Sequence, residues 1–310
     1  MKKFGKKLLA SCGGLLALTP AAAWACACGC GVFEVGPNMI LSMSPGVTLF
    51  SEFDFMDQNT NWSGTARAPA TASDDKEIKS EFFTFGGSAV IDQDWSVVAE
   101  IPVSNRTFKN DTGDGSTDTF HHAALGDIRL MGIYSGLSDD MSTGVIFGVK
   151  LPTGDFRYPN LDRDTEIGSG STDLLIGLTH TGTISPDGDW TWYGQILWDK
   201  PLASQGGYTP GGEVDAALGV GYRGFSASNG VQIAPSLQLV GSNRAKDSGI
   251  NADPPSTGHD RILLSPGVAI SYDRWRIYGD VEIPLYQDVN GNQLTAHQLC
   301  KFVVSYNLEG

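Results

Sequence analysis

The sequence predicts an all-β fold: a transmembrane, antiparallel, up-and-down β-barrel of about twelve strands. Three observations predict it. Segments of about ten residues with apolar–polar alternation recur down the chain, the length a tilted strand needs to cross the apolar part of a bilayer. The connections between these segments alternate long and short, as in barrels with loops outside the cell and tight turns in the periplasm. After residue 25 no run of about 18 apolar residues occurs, which excludes a membrane-spanning helix.

The first element is an address. Lys2, Lys3, Lys6 and Lys7, the apolar stretch from Leu8 to Leu18, and Ala23-Trp24-Ala25 follow the layout of a secretory signal peptide over residues 1–25. Cleavage leaves a chain that begins at Cys26, with a Cys-rich segment over 26–36 and one barrel domain over 37–310. No linker or low-complexity tract divides that domain. Cys26 directly after the cleavage site also fits a lipid-modified cysteine, although bulky Trp24 favours plain cleavage. Loss of the four lysines takes the formal charge from −14 to −18, so nothing basic is left to track a nucleic-acid backbone.

The strands follow, near 46–57, 78–90, 95–103, 126–136, 145–151, 173–179, 190–198, 214–222, 230–240, 261–272, 274–284 and 299–308. The clearest sets Trp275, Ile277, Gly279, Val281 and Ile283 on one face and Arg276, Tyr278, Asp280 and Glu282 on the other, one side suited to lipid and one to water. The long connections, 58–77, 104–125, 153–170, 200–212, 242–260 and 285–297, are rich in Gly, Asn, Asp, Ser and Pro. Five short ones fall near 92–94, 137–142, 183–188, 224–229 and 273–274, so both ends of the barrel lie in the periplasm. Trp95, Trp190, Trp192, Tyr272 and Trp275 cluster at strand ends, where an amphipathic ring settles at the headgroup level. A soluble β-sandwich also alternates, because one face packs a core, but does not usually join polar, Gly-rich inner faces to such regular loops. Many outer-membrane barrels end on an aromatic residue; here Tyr306 is displaced from the end by Asn307-Leu308-Glu309-Gly310.

Lys150-Leu151-Pro152-Thr153-Gly154-Asp155, followed by Gly168-Ser169-Gly170-Ser171-Thr172-Asp173 and Leu174-Leu175-Ile176-Gly177-Leu178, resembles the outer-membrane channel family named for the MetA pathway of phenol degradation. The match is sharp over about 30 residues and elsewhere amounts to strand rhythm. The resemblance implies a channel or transporter of the bacterial outer membrane, often for aromatic or other apolar small molecules. The motif itself needs no solute to explain it, since Pro152 ends ladder pairing and Gly154 lets the loop turn sharply.

Alternation assigns Glu52, Asp54, Glu100, Asp127, Arg129, Lys150, Asp173, Asp215, Arg276, Asp280 and Glu282 to the lumen. Charges inside a barrel mark a water-filled path or a buried ionic network. Their acidic excess favours cations or neutral solutes, and lumen glycines such as Gly144, Gly148 and Gly219 leave room. The competing reading is a plugged, salt-bridged barrel that conducts nothing.

Cys26, Cys28 and Cys30 place three thiols in five residues, able to converge on a soft metal or, in the oxidising periplasm, to pair with one another or with Cys300. His121 and His122 stand in a long connection behind Asp111, Asp114 and Asp118, a solvated acidic loop suited to lipopolysaccharide and its bridging cations. No Ser–His pair can be assembled at the outer leaflet, which argues against an enzyme. The expectation is therefore a channel for small solutes in the bacterial outer membrane, with lipid and lipopolysaccharide around it and no cofactor. The rival is a non-conducting envelope protein, structural or soft-metal-binding through the N-terminal cysteines, whose Cys-rich N-terminus fills or docks at the barrel; whether residues 26–36 are ordered inside the lumen discriminates the two.

Overall fold

Period-two alternation sorts the side chains of each long strand into two faces, and the computed structural model closes those strands into a ring. Residues 30–36, 46–227 and 230–308 are described. The expected signal peptide, Cys26 and Cys28 lie outside them, as does the Cys30 side chain. The strands are β1 (Val47–Gly64), β2 (Ala66–Arg67), β3 (Asp75–Val90), β4 (Trp95–Asp111), β5 (Thr117–Leu125), β6 (Arg129–Tyr134) and β7 (Thr143–Lys150). They continue as β8 (Ser171–Thr183), β9 (Trp190–Ser204), β10 (Glu213–Tyr222), β11 (Phe225–Ser226), β12 (Gln232–Arg244), β13 (His259–Tyr272) and β14 (Trp275–Asn307).

Eleven of these form the ring; β2, β5 and β11 pair outside it, and the β10–β12 pairing closes it. Every neighbouring pair is antiparallel, and an odd ring of antiparallel pairs closes only if one element reverses. That element is β14. Its first half pairs with β13 as far as Val289, its second half pairs with β1, and the chain turns back at Asn290-Gly291, where Gly291 takes a φ of 61°. Counted as passes of the wall, the barrel has the twelve strands that the alternation predicts.

Outside the ring lies an apolar belt. Leu49, Phe85, Ile101, Leu130, Ile176, Leu218, Leu239, Ile270, Ile283 and Phe302 are all exposed, each alternating with an inward neighbour. At the periplasmic ends Trp95 packs on Tyr134, Trp190 on Tyr222 and Trp275 on Tyr306, with ring centroids 4.8–5.1 Å apart. An interfacial girdle has this form. A closed antiparallel barrel with such a belt is the architecture of the bacterial outer membrane, and no helix among the described residues is long and apolar enough to cross a bilayer.

Three long connections are not loops. Residues 58–64, 75–77, 104–111, 117–125 and 286–297 continue as paired strand, so one side of the barrel rises well past the belt as a ribbon. Above the bilayer both faces of a strand can be polar, which erases the alternation that marks the lower half. His121 and His122 accordingly stand on β5. His121 meets Thr107, and His122 meets Asp155 at 2.9 Å. Among the described residues no group of three His, Cys, Asp or Glu side chains is arranged to hold a metal ion.

The interior departs from the expected polar lumen in its periplasmic half. There a 3-10 turn, Cys30–Glu34, lies inside the barrel, with Val32, Phe33 and Val35 buried among inward side chains that include Met131, Ile133, Ile146 and Leu197. Cys300 takes no part. It alternates with buried Leu299 and Lys301, so it faces outward about midway along its pass.

Candidate functional site

Above the N-terminal turn the lumen opens into a cavity of about 180 Å³. Its floor is Phe33 and Glu34; its walls include Phe50, Glu52 and Asp54 from β1, Phe82 and Thr84 from β3, Glu100 and Arg106 from β4, and Lys150 from β7. Its roof comes from two external loops, through Arg163–Ser169 members of 151–170 and through Tyr208, Pro210 and Gly211. Ten carboxylate side chains and five cationic ones line it.

The floor is tied down at three points. Arg129 forms an ion pair with Glu34, Lys301 donates to the Phe33 carbonyl, and the Gly36 amide donates to Gln195 Oε1 at 3.1 Å. Each tie reaches a different part of the wall, on β6, β14 and β9 respectively. The turn is therefore held by distributed polar contacts as well as by its three apolar side chains, while presenting Phe33 and Glu34 upward.

The roof is built by the motif that drew attention in the sequence. Between β5 and β6 the residues Gly126, Asp127 and Ile128 oppose only Ile101 and Pro102, a one-residue bulge. Thr153 fills it, accepting from the Ile128 amide at 2.9 Å and donating to the Gly126 carbonyl at 3.0 Å. Asp127 then accepts from the Gly154 amide at 2.9 Å and from the Ser169 amide and hydroxyl at 2.8 and 2.6 Å. The loop tip turns inward, where buried Arg106 donates to the carbonyls of Thr165 and Glu166. Arg163 lies between the rings of Phe156 and Tyr208, 4.8 and 4.5 Å from their centroids. Burial and neighbouring acids push Asp164 up to about 8, and burial with Asp155 pushes Glu166 up to about 7.

The second external cluster centres on Asp247. It accepts from the Tyr208 hydroxyl at 2.5 Å, the Gly211 amide at 2.6 Å and Arg244 at 2.9 Å, so loops 205–212 and 245–258 are joined across the mouth. Nothing in the sequence marked Tyr208 or Arg106 for this role, because their partners Asp247 and Thr165 lie 39 and 59 residues away; Arg244 is three residues from Asp247, a spacing that singles out neither residue.

The eleven residues assigned to the lumen by alternation all fall on the inner side or, for Asp127, in the bulge between two strands. Lys150 bridges Asp173 and Asp199 at 2.5 and 2.6 Å. Asp54 and Lys301 are directly paired across β1 and β14, with Glu52 3.5 Å from Lys301. Asp280 accepts from the Tyr278 hydroxyl at 2.6 Å and from Gln238 at 3.2 Å. Asp215, Asp280 and Glu282 are buried outside the cavity lining, and Arg276 lies below it near the periplasmic end. Glu52, Asp54, Glu100, Asp127, Arg129, Lys150 and Asp173 border the cavity itself.

No family model matches the sequence, and no curated protein does. Among solved structures, the chain is similar to an outer-membrane channel from Pseudomonas putida F1, at 11% identity and a TM-score of 0.64, over 88% of this chain and 99% of that one. It is also similar to the β domain of a Bordetella autotransporter, at 12% identity and a TM-score of 0.51, over 86% of this chain and 100% of the other. At these identities the likeness is one of fold.

Proposed function

We propose that this barrel is a channel that carries small solutes with aromatic or other apolar groups across the outer membrane. The observation that carries the reading is the cavity held between an inward-folded external loop and an inserted N-terminal turn. A barrel serving only as a scaffold gains nothing from that space. Cavities of about 150 Å³ lined with apolar groups admit a single benzene ring, so 180 Å³ suits a one-ring molecule. The similarity to a Pseudomonas channel and the resemblance of residues 150–178 to the MetA-pathway channel family support the same role. In this reading the lumen is net acidic and passes cations or neutral molecules in preference to anions. Residues 26–36 act as a periplasmic stopper and 37–310 as the channel.

A second reading is favoured by the stopper's packing. Val32, Phe33 and Val35 complete an apolar core with the wall, which suits a closed barrel of structural or metal-handling role. Conductance in planar bilayers separates the two. The intact refolded protein is expected to conduct in brief events, and a variant lacking residues 26–36 steadily, with a cation preference that falls when Asp280 and Glu282 are neutralised. Silence from both, in barrels that still show heat-modifiable migration, overturns the channel.

A further inference from the structure

The wall beside the stopper carries a pattern that specifies more than an apolar solute. Three neighbouring strands align their inward residues in rows. Phe50, Gly86 and Glu100 form one row; Glu52, Thr84 and Pro102 the next; Asp54, Phe82 and Ser104 the third. Two rings, Phe50 and Phe82, and three carboxylates, Glu52, Asp54 and Glu100, thus share one patch of wall on adjacent strands about 4.8 Å apart. Gly86 is required for the arrangement, because the Phe50 ring lies across it so closely that a Cβ there would meet ring atoms at 2.1–2.7 Å. With no side chain between them, Phe50 and Glu100 border the same space. The stopper adds a third ring, Phe33, packed on Phe82 with centroids 6.1 Å apart.

The carboxylates here are incompletely matched. Asp54 is 2% exposed, and its Oδ1 accepts no hydrogen bond among the described residues. The Glu100 carboxylate makes no hydrogen bond or ion pair among the described residues, since Arg129, its neighbour on β6, turns away to Glu34. The resident cation, Lys301, is 3.5 Å from Glu52 and 5.8 Å from the centre of the Phe33 ring, which shows an ammonium group already accommodated between a carboxylate and a ring.

We infer that this wall is a binding site for a small organic ammonium ion carrying one aromatic ring. The ammonium is held by Asp54 and Glu100, and the ring is packed among Phe33, Phe50 and Phe82. The site rests on the channel reading and narrows its solute class. A buried carboxylate oxygen that accepts no hydrogen bond, the Asp54 Oδ1, favours a ligand supplying both charge and N–H donors, and an aromatic surround adds cation–π attraction. A neutral ring of equal size gains only the packing, and an anion meets a surplus of carboxylates. Because Phe33 belongs to the stopper, ligand and stopper complete the site together.

Calorimetric titration of the refolded chain in detergent tests this with three one-ring probes: phenethylammonium, 2-phenylethanol and phenylacetate. The expected order is phenethylammonium at least tenfold tighter than 2-phenylethanol, with no binding of phenylacetate. Glu100→Gln and Asp54→Asn are each expected to reduce phenethylammonium affinity about tenfold and so to narrow its preference over 2-phenylethanol by a similar factor, in barrels whose heat-modifiable migration is intact. Equal affinity for the ammonium and the alcohol, or an ammonium affinity indifferent to both substitutions, overturns the charged site. Flux of 2-phenylethanol into liposomes reads the channel separately: flux without ammonium preference removes only this inference, and absence of flux removes the channel as well.

Discussion

Gly154 and Gly168 meet backbone to backbone at the root of the inward-folded loop. A Cβ on Gly168 would lie 2.3 Å from the Gly154 carbonyl carbon, and one on Gly154 would lie 2.6 Å from the Gly168 Cα. The Gly168 amide also donates to the Asp155 carbonyl at 2.7 Å, so the contact closes the base of the loop between Asp155 and Ser169. Backbone cannot yield as a flexible side chain does. Gly168→Ala is therefore expected to spread the loop base and lift its tip from Arg106, at a cost of about 1–3 kcal/mol for the overpacking. The check is single-channel recording of the variant: longer open events than in the parent, with barrel migration unchanged.

Val32 is 0% exposed within the apolar core of the periplasmic half. Val32→Asp places a carboxylate there without a partner, a burial that costs several kcal/mol and exceeds what the remaining ties of the turn supply. The turn is expected to leave the lumen while the barrel stays closed. Conductance should then match that of the protein lacking residues 26–36. A variant as quiet as the parent would show that the turn does not control passage.

What the sequence made legible follows from where the bilayer is. In the belt, one face must be apolar and the other not, so residues such as Trp275 to Glu282 declare their strand outright. Above the belt that demand lapses. Residues 104–111 and 117–122 carry polar side chains on both faces, interrupted only by Phe108 and Phe120, read as a loop, and are paired strand nonetheless. An N-terminus that fills the barrel is legible only as the rival reading, because five residues have no periodicity and their partners Arg129, Gln195 and Lys301 are 95 to 268 residues away. The short apolar run Val32-Phe33-Glu34-Val35, bounded by Gly31 and Gly36, was the available signal. Asp127 was placed on the correct side of the wall, but its carboxylate is spent on Gly154 and Ser169, a role that no alternation could disclose.

The loop should also respond to pH. Burial first, then Asp162 and Asp247, raise Asp164 to about 8; burial first, then Asp155, raises Glu166 to about 7. Both groups hold their protons in the inward-folded loop at pH values where a solvated carboxylate has lost its own. The folded-in state therefore binds more protons than the released one, and its stability falls as pH rises from the ordinary carboxylate range to about 8, then levels. Open probability is expected to rise between pH 6 and pH 9. Asp164→Asn and Glu166→Gln together should flatten that rise; a profile unchanged by the double substitution would place the pH response elsewhere.

Gly86 supplies the last prediction, because its single hydrogen separates two effects that a larger deletion would mix. The Phe50 ring occupies the position a Cβ would take, and the ring's other side borders the cavity. Gly86→Ala drives the ring off its place, toward the cavity that it borders. The barrel wall itself need not change, since β1 and β3 remain in register on both sides of the pair. Stability in urea is expected to fall by about 1–3 kcal/mol, and 2-phenylethanol affinity with it, because the ring now stands where the probe would bind. Phe50→Leu in the same background makes room again. It should restore much of the stability while leaving the aromatic probe weaker than in the parent, a combination that simple loss of fold cannot produce.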